Sequence, residues 1–360
     1  SSRGLSLGHG RDLGNAPLAF VNFLSLFWFT NMAWPDLDPP RLAERPLSLQ
    51  EALFVLEAPP EALPALAEAA IRVKEYLFGR RLKLVRLLNV KSGFCPEDCA
   101  YCAQSARSQA AIARYPLLSL EEILERAEEA QRLSARRFCL VAALRGPTPK
   151  VLERLGEAAQ AIKARFPLEL CASLGLLEEG MAEALKAAGF DYYNHNLNTA
   201  PSLYPRIATT HTYQDRLWTL KRAREAGLKL CSGVILGMGE GPKEVYEMAL
   251  ALRELGVESL PVNFLLPIPG TPLGDGRTVA GLTPERALKA LILFRLLNPK
   301  AELRASAGRE RYLGPYEPLA FRMVNSIFLQ GYLTQPGSPW ERDRALWESL
   351  GLDVEEGACG

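Results

Sequence analysis

The residues best placed to do chemistry in this 360-residue chain are Cys95-Pro-Glu-Asp-Cys99-Ala-Tyr-Cys102. Thiolates are the usual protein ligands of iron–sulfur clusters, and a set of four would close the coordination. A Cys-x-x-x-Cys-x-x-Cys spacing supplies only three, so one iron of a cubane cluster keeps an open position. A metal with a vacancy is a reactive centre, whereas a closed one is structural or carries electrons. The spacing therefore predicts a cluster whose open iron takes a small molecule and acts on it.

Such a loop needs a scaffold, and the rest of the chain reads as a regular one. Short apolar runs at Leu84–Val90, Arg137–Ala143, Leu168–Leu174, Phe190–Leu197, Leu228–Leu236, Ser259–Leu266, Glu302–Ser306 and Ser326–Leu329 read as strands. Helical patterns separate most of them, with capping-box starts such as Ser119-Leu-Glu-Glu122 and glycine stops at Gly189, Gly227 and Gly256. Strands alternating with helices imply parallel strands with helical crossovers, and about eight units predict an α/β (β/α)8 barrel. A doubly wound open sheet is the alternative. Two helices at Ser48–Glu57 and from Pro64 to Leu77 precede the alternation as an N-terminal helical extension. The expected organisation is an extension over 32–80, a barrel over 81–335, and a C-terminal helix over Glu341–Leu350 that frays toward Gly360.

Residues 1–31 look foreign to this pattern. Ser1–Asn15 is rich in Gly and Ser, and the apolar Leu18–Phe29 is too short for a membrane span. A signal-peptide cleavage site is not evident. The expectation is upstream or added sequence, with the natural start at Met32. With 48% hydrophobic and 23% charged residues and a net charge of +1, bulk electrostatics give no hold on nucleic acid or anionic membrane. Seven cysteines in so long a chain point to metal in a reducing, cytoplasmic compartment rather than to disulfides.

Placed on a barrel, the cysteine triad lies after the first strand, at the carboxyl end where such barrels keep their active sites. Cys139, Cys171 and Cys231 come from three other strands and can point into one interior. A lone cysteine in an apolar strand is by default a small core residue, and spacing alone does not make these a second metal site. Arg304, inside a strand, needs an anion or electron-rich partner, the plain alternative being an ion pair at the barrel mouth. Alternation puts Asn194 and Asn196 on one strand face and His195 on the other. Buried amides must be hydrogen-bonded, by a ligand or within a polar layer, and His195 reads as structural. Gly233, Gly237, Gly239 and Gly241 read as sites of close backbone approach to a ligand.

Cys95–Cys102, with Tyr101 before the third cysteine, resembles the signature of the radical S-adenosylmethionine superfamily. Within it, the chain from about residue 85 to 335 resembles the biotin synthase family. The resemblance rests on Lys91–Ser105, Arg137-Phe-Cys139, Asp191–Leu197, Cys231-Ser-Gly233, Gly270-Thr-Pro-Leu273 and Ser306-Ala-Gly-Arg-Glu310. It implies that Cys95, Cys99 and Cys102 hold a [4Fe–4S] cluster that binds S-adenosylmethionine and yields a 5′-deoxyadenosyl radical. It further implies that Cys139, Cys171, Cys231 and Arg304 hold a [2Fe–2S] cluster, the sulfur source for converting dethiobiotin to biotin. Tyr101, Ala142, Asn196 and Arg216 would bind S-adenosylmethionine, and Asn194, Asn196, Asn263 and Thr334 dethiobiotin. A reduced flavodoxin or ferredoxin as electron donor and a homodimer are implied as well.

Two positions depart from the family pattern: Asn198 stands where Asp is common, and Gln335 where a second Thr is common. They put the ribose contact and the substrate-tail contact in question. Cys359 falls outside the pattern and reads as a free thiol. The competing readings are a hydrogenase-maturase-like or methylornithine-synthase-like enzyme of the same subgroup, and a non-catalytic iron–sulfur or zinc protein. The last would need a fourth nearby ligand, and the loop shows none.

Overall fold

The computed structural model describes residues 33–355, so the expectations for residues 1–31, Met32 and Cys359 lie outside the described residues. Ten strands follow in chain order: β1 (Arg81–Lys91), β2 (Arg137–Ala142), β3 (Glu169–Ser173), β4 (Tyr192–Asn194), β5 (Lys229–Cys231), β6 (Val234–Leu236), β7 (Ser259–Phe264), β8 (Glu302–Ala305), β9 (Ser326–Phe328) and β10 (Asp353–Val354). From β1 to β5 each pairs in parallel with the next, β5 and β6 both pair with β7, β7 pairs with β8 and β8 with β9, and β9 returns to β1. The sheet is therefore a closed eight-stranded parallel barrel ringed by helices, with β5 and β6 as two halves of one strand. The open-sheet alternative falls on the β9–β1 pairing.

Helix starts follow the local chemistry read from the sequence. Ser48 and Ser119 close capping boxes with Glu51 and Glu122, and Thr148 caps the Pro149–Arg165 helix ahead of its N1 proline. Each side chain satisfies a backbone N–H that the first helical turn leaves without a partner. The Leu63–Phe78 helix buries Leu66, Ala70 and Val73 completely against the Pro284–Leu297 and Glu317–Met323 helices. The extension thus shares one apolar core with the barrel.

Three elements differ from their sequence expectations. The strand expected over Phe190–Leu197 ends at Asn194, because Asn198 turns the chain with φ +70°. The run Leu228–Leu236 is interrupted at Ser232-Gly233, which faces Pro261 of β7. Proline has no N–H to give the ladder, and the backbones come so close that a Cβ at Gly233 would sit 1.8 Å from the Pro261 carbonyl oxygen. The Gly233 expectation is corrected accordingly: the close approach is to a neighbouring strand, not to a ligand. The third difference is the tail. After the Trp340–Ser349 helix its described residues add β10 to the start of β1, Arg81 opposite Asp353 and Leu82 opposite Val354, while the fraying expected toward Gly360 lies outside the described residues.

Gly233→Ala should lower stability by about 2–4 kcal/mol, since backbone rather than a movable side chain occupies the space. The thermal unfolding midpoint of the purified protein reads it, with Gly156→Ala as the control, because that helical position has no left-handed φ and a Cβ there meets only Ala188 at an ordinary 3.6 Å.

Candidate active site

The loop after β1 is folded back on itself by its own backbone. The Cys95 N–H donates to the Gln104 carbonyl at 3.0 Å, the Ala106 N–H to the Cys95 carbonyl at 2.7 Å, and the Cys102 N–H to the Cys99 carbonyl at 3.0 Å. Burial pushes all three thiols up, Cys102 to about 12, and the neighbouring thiols add to the shift at Cys95 and Cys102. Three thiolates packed here without a cation would repel one another, so this donor set suits a metal cluster that brings its own positive charge. The loop carboxylates turn inward. Asp98 accepts from the Thr209 and Thr210 N–H groups at 2.9 and 3.1 Å, and Glu97 bonds Thr210, His211 and Arg145. His211 Nε2 lies 2.7 Å from the Tyr204 hydroxyl and 3.0 Å from Arg216 Nη2. Arg216 donates on to the Asn196 carbonyl at 2.8 Å.

Deeper in the barrel, Cys139, Cys171 and Cys231 form one layer with Val85 and Tyr192. Cys139 is opposite Cys171 across β2–β3, and all three thiols are almost wholly buried. The hydrogen bond from Cys171 and the guanidinium charges of Arg304 and Arg137 lower the Cys231 thiol against the effect of burial, while its thiol partners and burial push Cys171 up. Arg304 donates to Ser326 Oγ at 3.1 Å, Ser259 Oγ at 3.0 Å and Glu302 Oε1 at 2.9 Å. The ion pair weighed for it from sequence therefore exists, but inside the barrel rather than at its mouth.

Below this layer lies a charged floor that the sequence reading missed. Arg137, with no exposed surface, forks onto Glu302 through two 2.9 Å bonds and onto Glu169 at 3.0 and 3.1 Å. Lys83 bridges the same two carboxylates at 3.3 and 3.0 Å. Three cations, Lys83, Arg137 and Arg304, meet two carboxylates, which leaves positive charge beneath the thiols and suits an anionic thiolate-bound cluster above. The signal was available: Arg137, Glu169 and Glu302 each stand two residues before Cys139, Cys171 and Arg304, and period-two alternation puts each pair on one face.

A cavity of about 340 Å³ joins the two sets of thiols. Cys95, Cys102, Cys139, Cys231 and Arg304 line it, while Cys99 and Cys171 do not. Tyr101, Ala142, Asn194, Asn196, Arg216, Asn263 and Thr334 also border it, so the residues named from the sequence share one space. Asn194 Nδ2 donates to Cys231 Sγ at 3.1 Å and to Asn196 Oδ1 at 3.3 Å, and the Asn263 amide spans the Val234 carbonyl and the Ala307 N–H. Asn198 donates to the Tyr101 hydroxyl at 2.7 Å, and Gln335 lies on the cavity wall beside Thr334. His195 is buried and held neutral by desolvation and then by the Arg216 charge, with its Nε2 unpartnered among the described residues. Among the described residues, no three His, Cys, Asp or Glu side chains converge as a single ion requires. A cluster whose irons take separate ligands accepts a wider ring.

Residues 89–269 match the radical SAM superfamily, and residues 261–353 the biotin and thiamin synthesis associated domain. The chain is 99% identical over 329 residues to the biotin synthase of Thermus thermophilus, covering 91% of this chain and 100% of that relative. The chain belongs to the biotin synthase family. It is also 44% identical over 314 residues to the biotin synthase of Rhodopirellula baltica, covering 87% of this chain and 86% of the relative. Among solved structures, a methylornithine synthase superposes with a TM-score of 0.76 at 20% identity, over 89% of this chain and 98% of that one. The FeFe-hydrogenase maturase of Carboxydothermus hydrogenoformans superposes with 0.74 at 21%, over 94% and 81%. These two share the barrel fold with the biotin synthase family.

Replacing Arg137 by Ala removes four of the bonds to Glu302 and Glu169, leaves those carboxylates to Lys83 and Arg304, and should cost about 3–5 kcal/mol, as for other broken buried ion pairs. Thermal unfolding of the cluster-free protein measures it. The exposed pair Arg344–Glu348, whose side chains are 52% and 57% exposed, serves as the contrast at about 0–1 kcal/mol.

Proposed function

We propose that the two thiol sets divide the work of sulfur insertion between the mouth and the interior of the barrel. The chain is a radical S-adenosylmethionine enzyme that converts dethiobiotin to biotin, using a [4Fe–4S] cluster, S-adenosylmethionine and a [2Fe–2S] cluster. In this reading Cys95, Cys99 and Cys102 hold the first cluster, and Cys139, Cys171, Cys231 and Arg304 the second. When bound, the first cluster with S-adenosylmethionine supplies a hydrogen-abstracting 5′-deoxyadenosyl radical, and the second supplies sulfur. The observation that carries the assignment is the single cavity bounded by Cys95 and Cys102 on one side and by Cys139, Cys231 and Arg304 on the other.

The protein's own part is binding, orientation and exclusion of water. Arg216, fixed by Tyr204, His211 and the Asn196 carbonyl, faces the cavity with Tyr101 and Ala142, where it would meet the adenosyl cofactor. Asn194, Asn196 and Asn263 carry both donors and acceptors, as the ureido ring of dethiobiotin requires, and Thr334 would take the tail carboxylate. Asn198, held on the Tyr101 hydroxyl, acts on the cofactor side by fixing that ring. Apolar walls such as Leu87, Val141 and Phe328 keep water from a radical that would otherwise be quenched.

The catalytic barrel is read as 81–335, with 32–80 and 336–360 flanking it. No helix among the described residues is long and apolar enough to cross a membrane. The six described cysteines are free thiols, which suits a reducing cytoplasm. A reduced flavodoxin or ferredoxin as donor and a homodimer complete the reading.

Anaerobic reconstitution with strong reductant, S-adenosylmethionine and dethiobiotin should give 5′-deoxyadenosine and biotin. Cys171→Ala should keep 5′-deoxyadenosine release but lower biotin and the visible absorption of the second cluster by about 10-fold or more. A full second-cluster spectrum in that variant would remove Cys171 from the ligand set, and no 5′-deoxyadenosine from the unmodified protein would defeat the radical assignment.

A further inference from the structure

Phe94 precedes the first cysteine of the loop and is 67% exposed. Its φ of +57° lies in the left-handed region, uncommon for a bulky residue and costly by about 1–3 kcal/mol. Burial does not repay that strain, since the ring faces water. The Arg114 guanidinium lies 5.8 Å from the ring centroid, and its aliphatic stem fills the space over Gly93. Ala106 is bonded to the Cys95 carbonyl, so the adjoining Arg107, with its side chain 66% exposed, stands on the other flank of the same cysteine.

Charge is sorted across this loop. Glu97 and Asp98 are turned onto Thr209, Thr210 and His211, Asp98 also accepts from Arg107 Nη1 at 3.1 Å, and 105–116 contains two arginines and no carboxylate. The outer face therefore carries guanidinium groups around an exposed aromatic ring. Cys95 and Cys102 are half-buried and open onto the cavity, whereas Cys99 is buried, and the patch adjoins Cys95 directly, through Phe94 along the chain and through the Ala106 bond beside Arg107.

Resting on the function proposed above, we propose that Phe94, Arg107 and Arg114 form the docking surface for an acidic, low-potential one-electron carrier protein. Electron transfer falls steeply with distance, and the patch sits against a half-buried ligand of the reducible centre. The carrier gives up one electron and no proton. S-adenosylmethionine is the final acceptor, its sulfonium–carbon bond being cleaved to methionine and the 5′-deoxyadenosyl radical. Redox encounters use small interfaces, and complementary charge chiefly raises their on-rate. An exposed ring framed by cations fits that need, and the chain's net charge of +1 provides no general attraction to compete with it.

The test compares two reductants on the reconstituted enzyme, dithionite and a reduced flavodoxin regenerated by its reductase, with 5′-deoxyadenosine as the readout. Arg107→Glu/Arg114→Glu and Phe94→Gly should raise the KM for flavodoxin by about 10-fold or more at low salt, while the dithionite rate stays within about 2-fold. Added salt should slow the unmodified enzyme with flavodoxin and flatten that dependence in the charge-reversed variant. An unchanged KM for flavodoxin would overturn the inference alone. So would equal losses with both reductants, which mark a structural role, or a sedimentation coefficient that falls in Phe94→Gly or the charge-reversed variant relative to the unmodified protein, which would place the patch between copies of the chain. No 5′-deoxyadenosine from the unmodified enzyme with dithionite would instead overturn the underlying function.

Discussion

A single buried guanidinium, that of Arg137, is the constraint on which the barrel interior depends. It leaves β2, forks onto Glu302 of β8 and Glu169 of β3, touches Ser259 of β7 at 3.3 Å, and lies 3.7 Å above the Tyr192 ring of β4. Lys83 adds β1 through the same carboxylates, and Arg304 adds β9 through Ser326. Apolar side chains could fill this volume with as much stability, since desolvation offsets most of the gain from a buried ion pair. What charge adds is direction. Each group must meet its partner at hydrogen-bond distance, so the strands cannot slide without stranding a charge, and the thiol layer above is held in register.

The same logic explains the irregular backbone around the cavity. A complete β4 and an unbroken β5–β6 strand would spend every N–H and C=O on the ladder. The break opposite Pro261 leaves the Gly233 N–H to Asn196 Oδ1 at 3.0 Å, and Asn194, the last residue of β4, stands opposite Cys231 and reaches its Sγ with the side-chain amide. Polar side chains are thereby fixed at the cavity wall, where an amide without a partner would be costly. The architecture gives up ladder regularity in exchange for oriented donors and acceptors next to the sulfur ligands.

Mouth and interior are joined by a second chain of contacts. Glu97, inside the cysteine loop, holds His211; His211 meets Tyr204 and Arg216; Arg216 reaches the Asn196 carbonyl. A loop of such length would otherwise be the least ordered part of the barrel. Anchoring its carboxylates inward fixes the thiols relative to the cavity and leaves the outer surface of the loop to cations. Stability, ligand placement and surface charge thus follow from one decision about which way two acidic side chains point.

Much of this was legible in residue order alone. The triad spacing, the strand–helix rhythm, the capping boxes at Ser48 and Ser119, and the placing of Cys139, Cys171 and Cys231 on three separate strands are local or periodic properties, and periodicity survives without tertiary information. The floor was half-legible, since Arg137, Glu169 and Glu302 each stand two residues before Cys139, Cys171 and Arg304, but a charged residue at a strand start reads as exposed until its neighbours are known. The closure of β9 onto β1, the β10 pairing, the approach of Gly233 to Pro261, and the inward turn of Glu97 onto His211 were not legible. Each depends on contact between segments far apart in sequence. The sequence by itself determined which ligands and elements the chain owns; only the closed barrel decided which of them meet, because that distance is set by strand register and tilt rather than by spacing along the chain.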